Sequence, residues 1–350
     1  MKKIYTSTLL AMLLTCGAAF GQENQDQQEE QPPQHVEEDQ MLPPPKPPRV
    51  VGEAQTQAEF EAWLVLEQVE SLAERAALAE KFLETYPESG LTPYVHHILA
   101  RHYYGSNEIE KFVTHAEATL EELPNSPDLL SPLAFVYSEQ GQTQKALELA
   151  ERALATLEDL EKPTDVRAVD WLVQRQHVRA DAYYALGRAN LNRFNALNPQ
   201  GDGRATDPSL TQAIENFRKA AENDPRHDYA YFRLGFSETN ANNPGSAMEA
   251  YARAVAVGGV AASLAQSNLE DIHAFVTEHL SDSELAQITP QELIDREARE
   301  IQMEMAALEQ KISTEAAEIE AEERAREEER LREQMERSPE PTEPEPPGAN

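Results

Sequence analysis

The sequence predicts an all-α fold built as a solenoid of helical hairpins, and three observations support this prediction. The stretch Asp228–Gly259 has the pattern of two helices joined by turn residues, Asn242–Gly245. Its second helix places Ala247, Tyr251 and Ala254 on one face, at spacings of three and four residues. The same pattern recurs along the chain, and repeated hairpins of this kind bury their apolar faces against their neighbours.

The copies keep a regular phase. The residues 34 positions before Ala247, Tyr251 and Ala254 are Ala213, Phe217 and Ala220. Copies further upstream have Ala146, Ala150 and Ala153, and then Phe112 and Ala116. A half-copy ends at Pro87. Aromatic and small residues precede each turn, as Leu133, Ala134 and Tyr137 do before Gly141. Small residues at these positions allow the two helix backbones of each hairpin to approach closely.

Leu-Gly, an aromatic residue, Ala and a terminal Pro at this spacing resemble the tetratricopeptide repeat, over roughly residues 55–280. The resemblance implies a right-handed α-α superhelix of four to five helix pairs, with a protein or peptide ligand bound in its concave groove. The sequence departs from the family pattern at three positions. Tyr231 stands where the family usually has Trp, Phe112 where it has Ala, and Glu158 where it has Pro.

The resemblance also implies which residues line the groove. In this family the concave surface is made chiefly by the first helix of each pair, on the side away from its partner helix. Carrying that face through the repeats selects Tyr94, His97, Arg101, Tyr104, Asp128, Ser131, Phe135, Glu139, Asp181, Tyr184, Arg188, Tyr229, Phe232, Phe236 and Asn240. Exposed aromatics flanked by Arg and Asn suit an extended or helical peptide with apolar anchors. They differ from the Lys and Asn clamp with which the family holds a terminal carboxylate.

Two of these aromatics have a second interpretation. Phe232 and Phe236 also fit a core role, packing against the following helix near Leu264 and Leu269. Replacement by Ala separates the two roles, since a core phenylalanine contributes about 3–5 kcal/mol to stability.

Residues 1–21 have the anatomy of an export signal, with two lysines, the apolar run Ile4–Leu14 and a small-x-small cleavage site at Ala19 and Gly21. The run is too short to span a bilayer. The expectation is an exported protein, periplasmic or secreted, that begins at Gln22. An alternative is a lipoprotein anchored to a membrane through Cys16, although the preceding Thr15 is bulky for that signal.

The remaining chain divides by composition. Residues 22–54 form a Gln- and Pro-rich linker that is expected to be disordered, 55–280 hold the repeats, and 281–337 form a charged helical or coiled-coil arm. Residues 338–350 form an acidic, Pro-rich tail, also expected to be disordered. If the leader is removed after Gly21, the mature chain is expected to lack a cysteine and to form no disulfide.

The repeat phase is interrupted over residues 161–210. Thr164 is predicted to N-cap a long helix that runs through Trp171, a core residue, to Ala189 or beyond. A polar loop follows, within 195–210. Its Asp202 and Asp207 lack the alternating acidic spacing of a calcium loop, so metal binding is not predicted there.

In the arm, apolar residues alternate by four and three from Ile294 to Ile319, the 3.5-residue seam of a coiled coil. The seam leaves two interpretations open, a homodimer through 294–319 or packing back on the last repeat. Beyond Ile319 the helix is charged all round, with Glu–Arg pairs four residues apart. Because a helix that is polar all round has no face to bury, we expect the arm to add little to repeat stability.

The formal net charge of -33 argues against nucleic acid and anionic membranes as partners. No zinc-protease, phosphate-loop or nucleophile-elbow motif is present, and His96, His97 and His102 do not share a helix face, so no catalytic residue, metal or cofactor is predicted. The sequence therefore predicts an exported scaffold or adaptor. Two alternatives remain: an oligomeric assembly factor of the cell envelope acting through the arm, and an enzyme accessory or cryptic enzyme using the 195–210 loop.

Overall fold

The structure is a computed structural model that describes residues 50–199 and 205–337, the side chains of 336 and 337 excepted. Within those ranges the chain forms thirteen α-helices and no strand. The helices are α1 (Gln57–Gln68), α2 (Leu72–Thr85), α3 (Thr92–Gly105), α4 (Ile109–Glu122), α5 (Pro127–Glu139), α6 (Thr143–Asp159), α7 (Ala168–Leu197), α8 (Pro208–Asn223), α9 (Asp228–Asn240), α10 (Pro244–Val257), α11 (Ala262–His279), α12 (Glu284–Gln287) and α13 (Pro290–Arg337).

The helices from α1 to α10 pair in chain order into five hairpins, and each hairpin packs on the next, which confirms the predicted all-α solenoid. Small residues set the helix spacing, as expected. A Cβ added to Gly235 in α9 would lie 2.8 Å from the ring of Tyr251 in α10, and one added to Gly187 would lie 2.7 Å from Phe217 in α8. Both contacts are closer than carbon atoms allow, so a larger residue at either position would force the ring or the helix to move.

The long helix α7 begins later than predicted. Its N-cap is Arg167, and Thr164 lies in the preceding turn, so the prediction from residue type was wrong. The turn is held by Lys162, whose Nζ donates to the carbonyl oxygens of Pro163 and Val166 at 2.9 and 2.8 Å. Trp171 is buried near the start of α7, as predicted for a core residue. Its packing partners include Ile312 and Ala316 of α13, which the sequence did not indicate.

The arm α13 packs on the solenoid. Thr289 caps its start, since the Thr289 hydroxyl accepts from the Glu292 amide while Glu292 accepts from the Thr289 amide. Ile294 and Ile301 are buried in one cluster with residues of α10 and α11, and Ile312 is buried with the first turns of α7. The seam is therefore covered within the chain, which is the second of the two interpretations that its spacing allowed. The buried residues in its first half argue against the expectation that the arm adds little to repeat stability, because that expectation considered only the polar second half.

Past Ile319 the helix extends into solvent. Residues 320–335 are exposed, as the all-round polar pattern predicts. Glu323 of this part returns to the solenoid, where its Oε1 forms an ion pair of 2.9 Å with Lys162 Nζ.

Several predictions concern residues outside the described ranges. They are the export signal, most of the 22–54 linker, the tail 338–350, Cys16, and Asp202 of the polar loop. Asp207 is described, and its carboxylate caps α8 by accepting from the Ser209 amide at 2.8 Å. None of the described helices is long and apolar enough to cross a membrane.

Candidate ligand-binding groove

The first helices of successive hairpins, α3, α5, α7 and α9, contact one another in series. Three side-chain contacts mark the series: His97 of α3 with Asp128 of α5, Ser131 of α5 with the Val178 carbonyl of α7, and Glu139 of α5 with α7 and α9. We call the surface along these helices the first-helix groove. It is the surface on which the predicted ligand residues were placed.

At the N-terminal end of the groove, His97 Nε2 and Asp128 Oδ2 are 2.7 Å apart. Burial raises the pKa of Asp128, but the hydrogen bond with His97 and the charge of Arg101 outweigh it, so the pKa lies below its usual value. Arg101 is exposed beside this pair, and Tyr94 is 36% exposed with its ring edge-on to Trp63. This end therefore offers an exposed cation and an aromatic ring to a ligand.

At the centre of the groove, the carboxylate of Glu139 accepts hydrogen bonds from three side chains. Its Oε1 accepts from the Tyr184 hydroxyl at 2.6 Å and from Arg188 Nε at 3.0 Å, and its Oε2 accepts from an Arg233 terminal nitrogen at 3.2 Å. Burial raises the pKa of Glu139, but the two guanidinium groups bring it below its usual range, so the carboxylate is charged. We call this cluster of Glu139, Tyr184, Arg188 and Arg233 the Glu139 network.

Aromatic rings lie beside the Glu139 network. Phe135 stacks on Tyr184 at a centroid distance of 5.0 Å, and the edge of Tyr229 meets both rings at 6.4 Å. On another side, His227 stacks on Tyr184 at 5.0 Å. Phe135 and Tyr229 are half-buried, so each presents part of its ring to the groove over a fully buried layer.

The structure corrects the predicted role of Tyr184. Its side chain is 0% exposed, because Phe135, Tyr229, His227 and Phe217 surround it. It cannot contact a ligand, and it instead supports the groove by holding Glu139. Ser131 is also fully buried, since its hydroxyl donates to the Val178 carbonyl at 2.9 Å.

Four other predicted residues are half-buried and engaged within the chain. Tyr104 packs on Phe112 at 4.9 Å, and Phe232 packs on Tyr251 at 5.9 Å. Phe236 packs against a buried cluster of residues from α7, α8, α9 and α10, and the Asn240 amide donates to the Phe236 carbonyl at 2.8 Å. These contacts favour the core interpretation of Phe232 and Phe236.

Two residues of the site were missed by the sequence analysis. Arg233 lies on the groove side of α9 together with Tyr229, which stands four residues earlier. This four-residue spacing could have identified Arg233 from the sequence. His227 was missed because it precedes α9, where its Nδ1 accepts from the Ala230 amide. Its Nε2 is buried and has no hydrogen bond in the described chain, with the nearest carboxylate oxygen, Asp181 Oδ1, at 3.6 Å.

The three histidines of α3 have separate environments. His97 meets Asp128, His102 lies edge-on to Tyr103, and His96 Nδ1 is 2.8 Å from His115 Nδ1 of α4. Among the described residues there is no group of three or more His, Cys, Asp or Glu side chains arranged to hold a metal ion. The groups that the groove presents are aromatic rings, guanidinium groups and hydrogen-bonding side chains.

No protein-family model matches the chain, and no curated protein sequence matches it. Among solved structures, a MamA double mutant is 17% identical, with a TM-score of 0.40 over 58% of this chain and 96% of that one. PilF of Pseudomonas aeruginosa is 15% identical, with a TM-score of 0.36 over 71% and 96%. Yeast Tom70 is 15% identical, with a TM-score of 0.38 over 66% and 42%. Similarities at this level identify neither a family nor a function for the chain.

Proposed function

We propose that the chain is a scaffold that binds a protein or peptide segment along the first-helix groove. The observation that supports this proposal is the surface over the Glu139 network. Phe135 and Tyr229 show part of their rings there although the core beneath is closed by Tyr184. Partly exposed aromatic rings beside arginines are typical of binding hot spots, because they supply contact area with little loss of side-chain freedom.

The network explains how the surface is held ready for a ligand. Each of the two arginines is tied to Glu139, so neither guanidinium has to be ordered when a ligand arrives. Arg101 and Tyr94 extend the surface toward the N-terminal end. A segment that crosses α9, α7, α5 and α3 would meet an aromatic centre first and then an exposed cation.

The test is affinity capture by the full chain, with an Arg101→Glu, Tyr229→Ala variant as the groove mutant. The control is Lys81→Glu, which reverses an exposed charge on α2, outside the groove. We expect a specific partner that the wild type and the control retain and the groove mutant loses at a temperature where its melting curve shows it fully folded, since the half-buried Tyr229 also contributes to stability. Cross-linking that maps this partner to α3, α5 or α9 completes the test. A partner that the groove mutant retains in full contradicts the proposal.

We also propose that the protein is exported, with the leader cleaved after Gly21. This part of the proposal rests on the Lys-rich start, the short apolar run and the small residues Ala19 and Gly21. Mass spectrometry of the protein from its native host should give a chain that begins at Gln22. A lipid-modified Cys16 at the N-terminus would show membrane anchoring instead.

A further inference from the structure

Two grooves open on the opposite surface of the solenoid, between successive second helices. The first outer groove lies between α4 and α6, over α5, and encloses about 820 Å³. The second outer groove lies between α8 and α10, over α9, and encloses about 610 Å³ beneath α13. Neither groove includes a residue that was predicted to bind a ligand.

The two grooves are the same site in two repeats. Nine of the eleven residues that line the first groove have a counterpart lining the second groove 101 positions later. Leu133 corresponds in this way to Leu234 on the floor, and Glu148 corresponds to Glu249 on the wall. Arg152 and Arg253 form a third such pair, so both grooves carry an arginine at the same position.

The second groove shows what such a groove holds. The helix α13 lies over it, and Arg253 donates to Glu297 Oε2 at 2.8 Å and to Glu304 at 3.0 Å. On the same wall, Arg296 of α13 pairs with Glu249 at 3.1 Å. The second groove is thus covered by an amphipathic helix that places carboxylates at the groove arginine and a cation at the groove glutamate.

The first groove carries the same recognition groups with no helix of the described chain over them. Glu148 is exposed, and Arg152 is exposed and donates to the Pro124 carbonyl at 2.7 Å in place of a helix carboxylate. Leu120 and Leu149 line the groove on facing helices and are only half-buried. A helix laid here would bury both leucines and pair both charges.

The first groove is the more acidic of the two. Glu117 stands where the second groove has Arg218, and Glu151 stands where the chain has Ala252. Four carboxylates and two cations line the first groove in total. Charge complementarity therefore predicts that a helix bound in the first groove carries more cations than α13 carries over the second groove.

We propose that the first outer groove is a docking site for an amphipathic helix of a partner protein, bound in the manner of α13. The helix has an apolar stripe for Leu120 and Leu149, a carboxylate for Arg152, and cations for Glu148 and Glu117. This interaction is separate from the proposed first-helix groove and does not depend on it. The protein would then hold two partners on opposite surfaces.

The probe is a labelled peptide with the sequence of residues 289–319, added to the full chain and followed by fluorescence anisotropy. A second peptide carries Ala307→Lys. Ala307 and Arg218 both line the second groove, and Arg218 corresponds to Glu117 of the first groove. The new lysine is therefore designed to pair with Glu117. We expect saturable one-to-one binding of both peptides. The Ala307→Lys peptide should bind about two- to fivefold more tightly, the range of a partly exposed ion pair.

A charge swap locates the binding. Arg152→Glu in the protein should weaken binding of the Ala307→Lys peptide, and adding Glu304→Arg to that peptide should restore it. Lys81→Glu in the protein is the matched control and should change nothing. Melting midpoints check that the variants are folded, and Arg152 is exposed, so we expect no change in them.

Three results would overturn the proposal. The first is no saturable binding up to about 1 mM, a concentration at which a specific site would be filled. The second is binding that Arg152→Glu leaves unchanged, which would mean that the peptide displaces α13 from the second groove. The third is dimerisation of the full chain that Arg152→Glu abolishes, which would assign the groove to a second copy of the chain.

Discussion

Glu139 and Arg233 lie 94 positions apart in the sequence and meet at 3.2 Å, so that α5 and α9 are joined across the intervening α7. Arg188 and Tyr184 of α7 bind the same carboxylate. One side chain therefore connects the first helices of three consecutive hairpins. Since each hairpin of a solenoid otherwise contacts chiefly its neighbours, this link makes the centre of the groove more rigid than packing alone would.

Glu139→Ala should lower the free energy of unfolding by about 1–2 kcal/mol, because it leaves the guanidinium groups of Arg188 and Arg233 without their carboxylate. The loss is kept small because 32% of the Glu139 side chain is exposed and water screens the charges. Urea denaturation measures it. The matched control is Glu84→Ala at an exposed position of α2, where we expect a change below about 0.5 kcal/mol. Equal losses in the two variants would show that the network contributes nothing.

Phe232→Ala should cost about 1–3 kcal/mol, because the ring is half-buried and packs on Tyr251 at 5.9 Å. Phe236→Ala should cost a similar amount through its contacts in the buried cluster of α7, α8, α9 and α10. Chemical denaturation of the two single variants and of the double variant measures both. If the double variant keeps wild-type stability and loses a captured partner, Phe232 and Phe236 belong to the groove and the core interpretation fails.

The sequence predicted the repeat phase well, because close helix crossings require small residues at fixed positions. Gly235, Ala247 and Ala254 are such positions, and the structure places each of them in a buried hairpin seam. Helix ends that depend on a cap were harder to predict. Thr164 is a good capping residue by type, yet the Lys162 contacts hold its segment in a turn.

Contacts between repeats could not be predicted in the same way. The 34-residue phase gives the face of a helix on which a residue lies, and Tyr184 does lie on the groove side of α7. Whether that face reaches solvent depends on neighbouring side chains, here Phe135 and Tyr229, which cover it. The α13 seam is similar, because alternating apolar residues show that a helix packs but do not show against what.

The free energy of unfolding should decrease as the pH is lowered, because of the environment of His115. Burial and the neighbouring His96 lower the pKa of His115 to about 4, below its usual value near 6.5, although Glu80 opposes the shift. A lowered histidine pKa means that the folded state resists the proton that the unfolded state accepts. The contribution is therefore complete above pH 6.5 and is lost progressively as pH falls from 6.5 toward 4.

The measurement compares the wild type with His115→Asn by urea denaturation at pH 7.5 and pH 5. The wild type should lose about 1–2 kcal/mol more than the variant between these two values, after allowance for the half-buried position. Carboxylates elsewhere in the chain titrate equally in both proteins, so the difference between the two losses measures the contribution of His115. Identical losses would mean that the ring is solvated in solution.

Deleting residues 290–350 should lower the melting midpoint of the solenoid by more than about 5 °C. The deletion removes Ile294, Ile301 and Ile312 from their buried positions and leaves Arg253 without Glu297 and Glu304. Each buried isoleucine contributes about 1.5–3 kcal/mol, and in a domain of this size about 1 kcal/mol corresponds to 2–4 °C. The control is deletion of 320–350, which removes the exposed part of α13 and keeps every buried residue of the helix. Its midpoint should stay within about 2 °C of the full chain. Because the two truncations differ in the packed segment 290–319, equal midpoints would show that this segment does not hold to the solenoid in solution.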